Sequence, residues 1–494
     1  MNRFWQSHVY QLLALALLWL LFGIFIVKPW QLYFLNDDFM HIPDARIVLR
    51  SGFMRPVPNV FVWFDKALYG SSPLGFFITS IFLHGLAVFS AYFLTDALQG
   101  KLKLITHLKE LPFWTALFFL VLPFHAESIM WTIARVSIMA TAFTLFSLAC
   151  FIKADNLNKT FWASWVWLLL ALFSYESMWN VVPIYLLVGW YKVNKRIIRR
   201  RMAFYQCGAM VATFGAYLFI RLWLLHSIVG DGYDNMEANV KNIPLLIGNL
   251  FKLIARIYTP AINNTNVFLL VVGVFTLMLF FATYRHLKAN RNTGIFLIII
   301  WVAMATGVAT AAPLGIDTHF HESDRYTYYA SFFLCLLLAI LCQSLASEKA
   351  NHLISALLFI GFTIGFYVLQ RHYAFSSSVT RGTVQFVNKQ PVASRLIFID
   401  VPERYKGASI YRTSLPNAIE WVGPKTDTVI IYSQTRSFER EGDFKTGTMS
   451  MDSLKAAKGG QFMLELNDYL NRQQGSKGYS VLWYGKGGLW LLGQ

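Results

Sequence analysis

Long apolar runs separated by short polar connections dominate the chain up to about residue 372. Each run is long enough to cross about 30 Å of hydrocarbon as a helix, or is paired with a neighbouring run across a short break. About eleven such runs are present, at residues 10–27, 74–97, 111–123, 129–152, 160–174, 178–191, 203–226, 266–283, 294–312, 328–346 and 351–370. The pattern predicts a polytopic α-helical membrane protein with about eleven transmembrane helices.

Two connections have a different pattern, in which apolar and charged positions alternate at helical spacing. Residues 43–72 and residues 243–258 both show it. Such segments are typical of helices that lie in the plane of the membrane surface. In the first of them, Trp63 and Tyr69 would lie at the depth of the lipid headgroups.

The pattern changes again after residue 373. Short β-rich runs (RLIFIDVP, TVIIYSQ, YSVLWYG and GLWLLG) are separated by Gly, Pro, Asn and Asp, and one helix is expected at about 451–471. We therefore expect two domains, a transmembrane domain over 1–372 and a small soluble α+β domain over 373–494.

Composition agrees with a membrane protein, since 56% of the residues are hydrophobic, 14% are charged and the mean hydropathy is +0.46. The net charge of +17 does not indicate nucleic-acid binding, because the Lys and Arg residues lie mainly in short loops and in the tail, where membrane topology explains them. We expect membrane lipids, and no nucleic acid, as partners.

Orientation follows from the same basic residues, because Lys and Arg near the ends of spans are retained in the cytoplasm. With the N-terminus inside, alternate loops carry most of them. The chain is then expected to be a multi-pass protein of a bacterial plasma (inner) membrane, with its C-terminal domain on the periplasmic or extracellular side. Four polar clusters share that side: LNDDFMH at 35–41, PFHAES at 123–128, SYES at 174–177 and HFHESDRY at 319–326.

Asp37 and Asp38 are the candidate catalytic residues. If the segment is extended, adjacent side chains point to opposite faces, so one carboxylate acts and the other supports it. A carboxylate whose pKa is raised by burial and by a neighbouring like charge can take a proton from an acceptor hydroxyl. Arg325 is a fixed cation suited to binding a phosphate as it leaves, and Arg135, inside an apolar run, is a second candidate for that phosphate.

Further residues of the same clusters are expected to line the cavity. They are His41, Arg55, His125, Glu127, Glu176, His321, Glu322, Asp324 and Tyr326. Simpler roles remain open for them, as topology signals, interfacial ion pairs, helix caps or turn residues. No cofactor is expected. The alternative is a divalent cation, Mg²⁺ or Mn²⁺, held by Asp37, Asp38, His321 and Glu322.

The order of the clusters and of the segments around them is similar to that of the GT-C superfamily of membrane glycosyltransferases. The resemblance covers about 35–339 and includes NDD, LPFHAESIMWTIARVS, LFSYESMWN and SDRYTYYASFF. It is strongest to polyprenyl-phosphate-sugar transferases and to the transmembrane part of protein O-mannosyltransferases. The chain departs from them where SYES replaces Ser-Lys-Glu, where Val-Ser follows Arg135, and in having no TPR array.

The resemblance implies inverting transfer of a sugar, mannose or another hexose or pentose, from a polyprenyl-phosphate-linked monosaccharide. The acceptor would be a protein, a glycan or a lipid outside the membrane. It also implies a general base at Asp37 or Asp38, preferably Asp37, with Glu127, Glu176 and Arg325 lining the cavity and Arg325 at the donor phosphate. A transporter or flippase of a lipid-linked or anionic substrate is the alternative. A non-catalytic scaffold would tolerate replacement of the loop acids.

Overall fold

The computed structural model describes residues 7–44, 54–103, 108, 110–226, 236–289, 291–344, 347–389, 395–412, 414–423, 428–438, 443–473 and 479–493. Its first ten helices are α1 His8–Leu21, α2 Asp38–His41, α3 Pro56–Tyr69, α4 Pro73–Gly100, α5 Leu111–Val121, α6 Ala126–Met130, α7 Val136–Lys153, α8 Lys159–Leu172, α9 Val181–Asn194 and α10 Arg200–Leu225. The other nine are α11 Met236–Lys241, α12 Ile243–Tyr258, α13 Thr265–Ala289, α14 Arg291–Ala309, α15 Ala330–Gln343, α16 Glu348–Lys389, α17 Leu415–Val422, α18 Met451–Lys458 and α19 Gly460–Gln473.

The predicted apolar runs all coincide with helices, but fewer of these helices can cross a membrane alone. By length and composition, six described helical segments qualify: His8–Gln31, Pro73–Gly100, Thr132–Lys153, Arg200–Leu225, Thr265–Arg285 and Glu348–Lys389. A seventh span is present if Leu111–Val121 and Pro123–Met130, which meet at 56°, are counted as one. The chain is an integral membrane protein, but the expected count of eleven spans is not confirmed.

The bend between α5 and α6 has a local cause. Leu122 is extended, at φ −62° and ψ 124°, and Pro123 follows it. A proline disfavours helical geometry in the residue before it and cannot donate the next helical hydrogen bond. PFHAES therefore contains the break within a bent pair of helices.

Helices α4 and α7 form the centre of the bundle. In their most apolar stretches, 67% and 83% of the residues are buried, against 17% for α10 and α13. The outer helices expose large apolar side chains such as Phe219 and Leu277, as expected of surfaces that face lipid.

Lysine side chains gather at one end of the bundle. Lys101 pairs with Asp155 at 2.6 Å, and Lys153 pairs with Asp96 at 2.9 Å, both at the C-terminal ends of α4 and α7. The four polar clusters lie at the other end, near the start of α4. Contacts join members of these clusters, such as that of Glu127 with Arg325. The side of the membrane that they face stays a prediction.

The C-terminal strands are β1 Arg395–Ile399, β2 Val401–Tyr405, β3 Ala408–Ser409, β4 Thr428–Ile431, β5 Gln434–Ser437, β6 Lys445–Ser450, β7 Tyr479–Gly485 and β8 Gly488–Gly493. A five-stranded sheet has the order β4-β1-β7-β8-β6, and a smaller sheet has the order β3-β2-β5. In the larger sheet β7 and β8 are antiparallel and the other pairs are parallel.

Alternation along the strands gives the larger sheet two apolar faces. Ile397 and Trp483 pack with side chains of α18 and α19, such as Leu454. Leu396 and Phe398 belong to a second core, which also contains residues from α16 and from the segment after α1. The C-terminal unit is thus packed directly against the first loop of the membrane part.

Two features of the tail differ from the sequence prediction. Helix α16 continues without a break from Glu348 to Lys389, so the expected domain boundary at 372/373 falls inside a helix. The single helix expected at 451–471 is divided into α18 and α19 at Gly459, whose φ of 87° only glycine adopts easily.

Candidate active site

The loop that carries Asp37 and Asp38 is helical, and the assumption of an extended segment is wrong. Asp37 caps the short helix α2, and its carbonyl accepts a hydrogen bond from the His41 N–H at 2.9 Å. The two carboxylates still separate as expected, because Asp38 is fully buried and Asp37 is only partly buried.

Asp38 joins the first loop to the turn before α7. Its Oδ2 accepts a hydrogen bond from the Leu35 N–H at 3.1 Å, and its Oδ1 accepts one from the Ile133 N–H at 3.0 Å. Burial raises the pKa of Asp38 to about 7 against the opposing effect of these N–H groups, and the nearby Asp37 charge adds to the rise. With both oxygens engaged by the backbone, Asp38 is placed to hold the loop in position.

Asp37 has a different environment. Burial raises the pKa of its carboxyl, while the positive charges of Arg325 and Arg412 oppose the rise. Among the residues that the structure describes, no basic side chain lies within ion-pair distance of Asp37. The structure therefore brings Asp37 near Arg325, as the sequence predicted, and leaves the carboxylate without an ion-pair partner there.

Arg325 is held by Glu127. Its Nη1 donates to the Glu127 carboxylate at 2.5 Å, and its own backbone N–H donates to the same carboxylate at 2.8 Å. The guanidinium also lies over the Trp131 ring at 4.9 Å and over the Tyr326 ring at 4.7 Å. Glu127, Arg325 and Tyr326, all predicted site residues, thus form one group with a fixed orientation.

Arg135 is buried and forms an ion pair with a residue of α3. Its side chain is 1% exposed, and its Nη1 pairs with the Asp65 carboxylate of α3 at 2.5 Å. Asp65 also accepts a hydrogen bond from Thr79 Oγ1 at 2.8 Å. Nη1 thus compensates a buried carboxylate, while Nε and Nη2 have no hydrogen-bond partner among the described residues. A role for Arg135 at the donor phosphate stays a prediction.

Glu176 forms an ion pair with Arg55. The Arg55 Nε donates to the Glu176 Oε2 at 2.9 Å, and its Nη2 donates to the other carboxylate oxygen. The guanidinium lies over the Tyr175 ring at 4.8 Å. Burial favours the neutral form of Glu176, but the Arg55 charge and hydrogen bonds outweigh it and lower the pKa of that carboxyl. Both residues were predicted to line the cavity, and the structure brings them together.

A second group is built around Asp324. Its carboxylate accepts hydrogen bonds from His321 Nδ1 at 2.8 Å and from the fully buried guanidinium of Arg256. Burial alone would raise the pKa of Asp324, but Arg256 and His321 together lower it. Next to this group, Glu322 pairs with Arg404, which belongs to strand β2 of the C-terminal unit.

The four residues considered for a divalent cation are each engaged elsewhere or kept apart. Asp38 is bound by backbone N–H groups, His321 by Asp324 and Glu322 by Arg404. Within the described ranges, no three His, Cys, Asp or Glu side chains are grouped so that they could hold a metal ion.

The two remaining histidines differ in position. His125 is fully buried, its Nε2 lies 2.7 Å from the Ser331 Oγ, and its ring lies 4.1 Å from the ring of Tyr328. It is a packing residue behind the site, although the sequence placed it in the cavity. His41 is partly buried at the end of α2.

Comparison with known proteins gives structural likenesses and no match in sequence. No family model matches the chain, and no curated protein sequence matches it. The crystal structure of ArnT from Cupriavidus metallidurans bound to undecaprenyl phosphate is similar over 84% of this chain and 86% of that chain, with 11% identity and a TM-score of 0.41. These values are too low to assign a family, an activity or a ligand.

Sequence reasoning did not find four charged residues around the site, namely Asp65, Arg256, Arg404 and Arg412. Asp65, Arg256 and Arg404 each pair with a residue that lies more than 60 positions away in the sequence, so no local motif marks them. Arg412 belongs to the tail, far in the sequence from Asp37. The signal that could have found Asp65 and Arg256 is their charge within amphipathic segments, at positions that the helical period turns toward the protein.

Proposed function

We propose that the protein is an inverting glycosyltransferase that uses a polyprenyl-phosphate-linked monosaccharide as donor. The acceptor is a hydroxyl of a protein, a glycan or a lipid at the extracytoplasmic surface. The observation that carries the proposal is that Asp37, a partly buried carboxylate with no ion pair among the described residues, feels the positive charge of Arg325, a guanidinium that Glu127 holds in place.

In the proposed reaction, the acceptor oxygen attacks the anomeric carbon from the face opposite the phosphate. The bond between that carbon and the phosphate oxygen breaks, its electron pair stays on the phosphate, and Asp37 takes the acceptor proton. Arg325 stabilises the charge that develops on the leaving polyprenyl phosphate. The products are the glycosylated acceptor, with inverted configuration, and polyprenyl phosphate.

The local environment of each group suits its proposed role. Burial raises the pKa of Asp37 toward the range in which a carboxylate is an effective base, while nearby arginines keep it able to ionise. Glu127 and the rings of Trp131 and Tyr326 limit the motion of the Arg325 guanidinium before any ligand arrives. A hydrogen-bond donor that is already oriented stabilises a transition state more than one that must first reorient.

A transporter or flippase of a lipid-linked substrate is the competing proposal. Transporters generally place their charged substrate sites near the bilayer midplane, at the interface of repeated halves. Here the charged groups named above gather near the loop ends of the helices. This arrangement favours chemistry at one membrane surface over passage through the membrane.

The test uses purified wild-type protein in detergent with a panel of undecaprenyl-phosphate hexoses and pentoses and a bacterial envelope fraction as acceptor. We expect labelled sugar to move to the acceptor and undecaprenyl phosphate to be released. UDP- and GDP-sugars serve as matched controls and should not replace the lipid donor. If no donor yields transfer, but the protein in liposomes moves the intact lipid between leaflets, the transporter proposal replaces this one.

A further inference from the structure

The C-terminal unit reaches the candidate active site through the segment after β3. The Asn36 N–H donates to the Ile410 carbonyl at 2.7 Å. With its amide oriented to satisfy both neighbours, the Asn36 side chain donates to the Tyr411 carbonyl at 3.0 Å and to Asp37 Oδ1 at 3.2 Å. The rings of Phe39 and Tyr411 lie 6.1 Å apart. The loop that holds Asp37 is therefore hydrogen-bonded to the tail just before the carboxylate, and it packs against the tail just after it.

Arg412 follows Tyr411 directly. Its backbone has a φ of 50°, in the left-handed region, and its carbonyl accepts a hydrogen bond from Gln434 Nε2 at 2.7 Å. An arginine adopts this conformation less readily than a glycine, so the turn is fixed by its surroundings. Its side chain is exposed, and its positive charge is close enough to oppose the rise that burial causes in the pKa of Asp37.

Arg412 differs from five other arginines at this end of the bundle. Five of them have a carboxylate partner in the described chain: Arg55, Arg135, Arg256, Arg325 and Arg404. Arg412 has no ion pair among the described residues. Among the described residues near Asp37, Arg412 is thus a guanidinium whose charge no acid of the protein compensates.

We propose that the C-terminal unit supplies Arg412 as a second phosphate-binding residue of the site, acting with Arg325 on the phosphate of the lipid-linked donor. This inference rests on the proposed function and extends it, because it makes the tail part of the active site. The donor diester carries one negative charge, and the polyprenyl phosphate that leaves carries close to two. The Glu127–Arg325 pair has little net charge, so the additional cation compensates the charge that the leaving phosphate gains.

The experiment compares the wild type with Arg412→Gln, Arg412→Lys and the control Arg472→Gln in the full-length protein. Arg472 is an exposed arginine on α19, which packs on the opposite face of the larger sheet. Two quantities are measured for each: steady-state kinetics with an undecaprenyl-phosphate sugar, and equilibrium binding of undecaprenyl phosphate alone. Thermal unfolding confirms that each variant is folded.

We expect Arg412→Gln to weaken undecaprenyl phosphate binding and to raise the donor KM by about 10-fold or more, the loss of one charge-assisted contact. Arg412→Lys should recover part of both effects, and Arg472→Gln should behave as the wild type. If the wild type transfers sugar and Arg412→Gln binds and turns over normally, the inference is overturned. A fall in kcat alone, with normal binding, would also overturn it.

The binding measurement separates this inference from the proposed function. Suppose that the wild type transfers no sugar but binds undecaprenyl phosphate, and that Arg412→Gln binds it more weakly. The inference about Arg412 then stands, and the transferase proposal fails.

Discussion

The Glu127 carboxylate holds Arg325 at two points, through the guanidinium Nη1 at 2.5 Å and through the backbone N–H at 2.8 Å. One residue thereby fixes both the position of the loop and the direction of its cation. These bonds join helix α6 to the segment before α15, which are about two hundred residues apart in the sequence.

Glu127→Gln tests this relationship. The amide keeps the shape but removes the charge, so the guanidinium loses its orientation while its positive charge is no longer compensated. We expect kcat to fall about 10- to 100-fold, since small displacements of a catalytic group have costs of that order. Undecaprenyl phosphate binding should not weaken. Normal turnover, or weaker binding, would show that Glu127 does not act by orienting Arg325.

The buried pair of Arg135 and Asp65 predicts a loss of stability. Removing one partner leaves an uncompensated buried charge, so Arg135→Gln or Asp65→Asn should each destabilise the fold by about 3–5 kcal/mol. Replacing both residues with apolar side chains should cost less than either single change. Thermal unfolding in detergent measures all three. If Arg135→Gln left stability unchanged and abolished donor binding, the sequence prediction for Arg135 would be right after all.

Asp38 predicts a pH dependence of folding. Its pKa is about 7 in the fold and close to 3.8 in the unfolded chain, so between about pH 4 and pH 7 the unfolded state binds fewer protons. The free energy of unfolding should therefore fall as the pH rises through this window. Asp38→Asn should remove the contribution of Asp38 to that fall. The measurement is the unfolding temperature from pH 5 to pH 8. If the unfolding temperature falls with pH equally steeply in the wild type and in Asp38→Asn, the raised pKa of Asp38 is contradicted.

The ion pair of Arg404 with Glu322 predicts how the C-terminal unit is attached. Arg404→Glu and Glu322→Arg should each weaken the contact, and the double exchange should recover part of the loss, with a coupling of about 0.5–3 kcal/mol. Hydrogen exchange of strand β2 reports the contact directly. If the double exchange recovers nothing, the pair does not contribute to attachment.

Hydrophobic patterning predicted the helices well, because burial and lipid exposure act on each segment separately. It gave the bounds of α12, Ile243–Tyr258, and the strands β1, β4, β7 and β8 close to those observed. It did not predict how many helices cross the membrane, since α8, α14 and α15 are apolar but short and depend on their neighbours.

The candidate site was predicted in part. Asp37, Glu127, Glu176 and Arg325 carry charge where solvent or a ligand must meet the protein, and that signal is local. The local sequence does not indicate which residue will become the partner of each charged side chain. Nothing near Arg135 indicates that Asp65 will meet it, and nothing near Asp37 indicates that the tail will place Arg412 beside it. These contacts depend on the packing of α3, α7 and the C-terminal unit, which the sequence pattern leaves undetermined.

The most direct test of the account is the turnover of Asp37→Asn with an undecaprenyl-phosphate sugar, compared with the wild type and with Asp44→Asn, an exposed acid of the same loop. We expect kcat to fall at least about 100-fold for Asp37→Asn, with undecaprenyl phosphate binding and thermal stability retained, and no such fall for Asp44→Asn. In the wild type, kcat should rise with pH through a pKa above the usual carboxyl value, because only the ionised Asp37 accepts the proton. Turnover by Asp37→Asn at the wild-type rate would contradict the central claim.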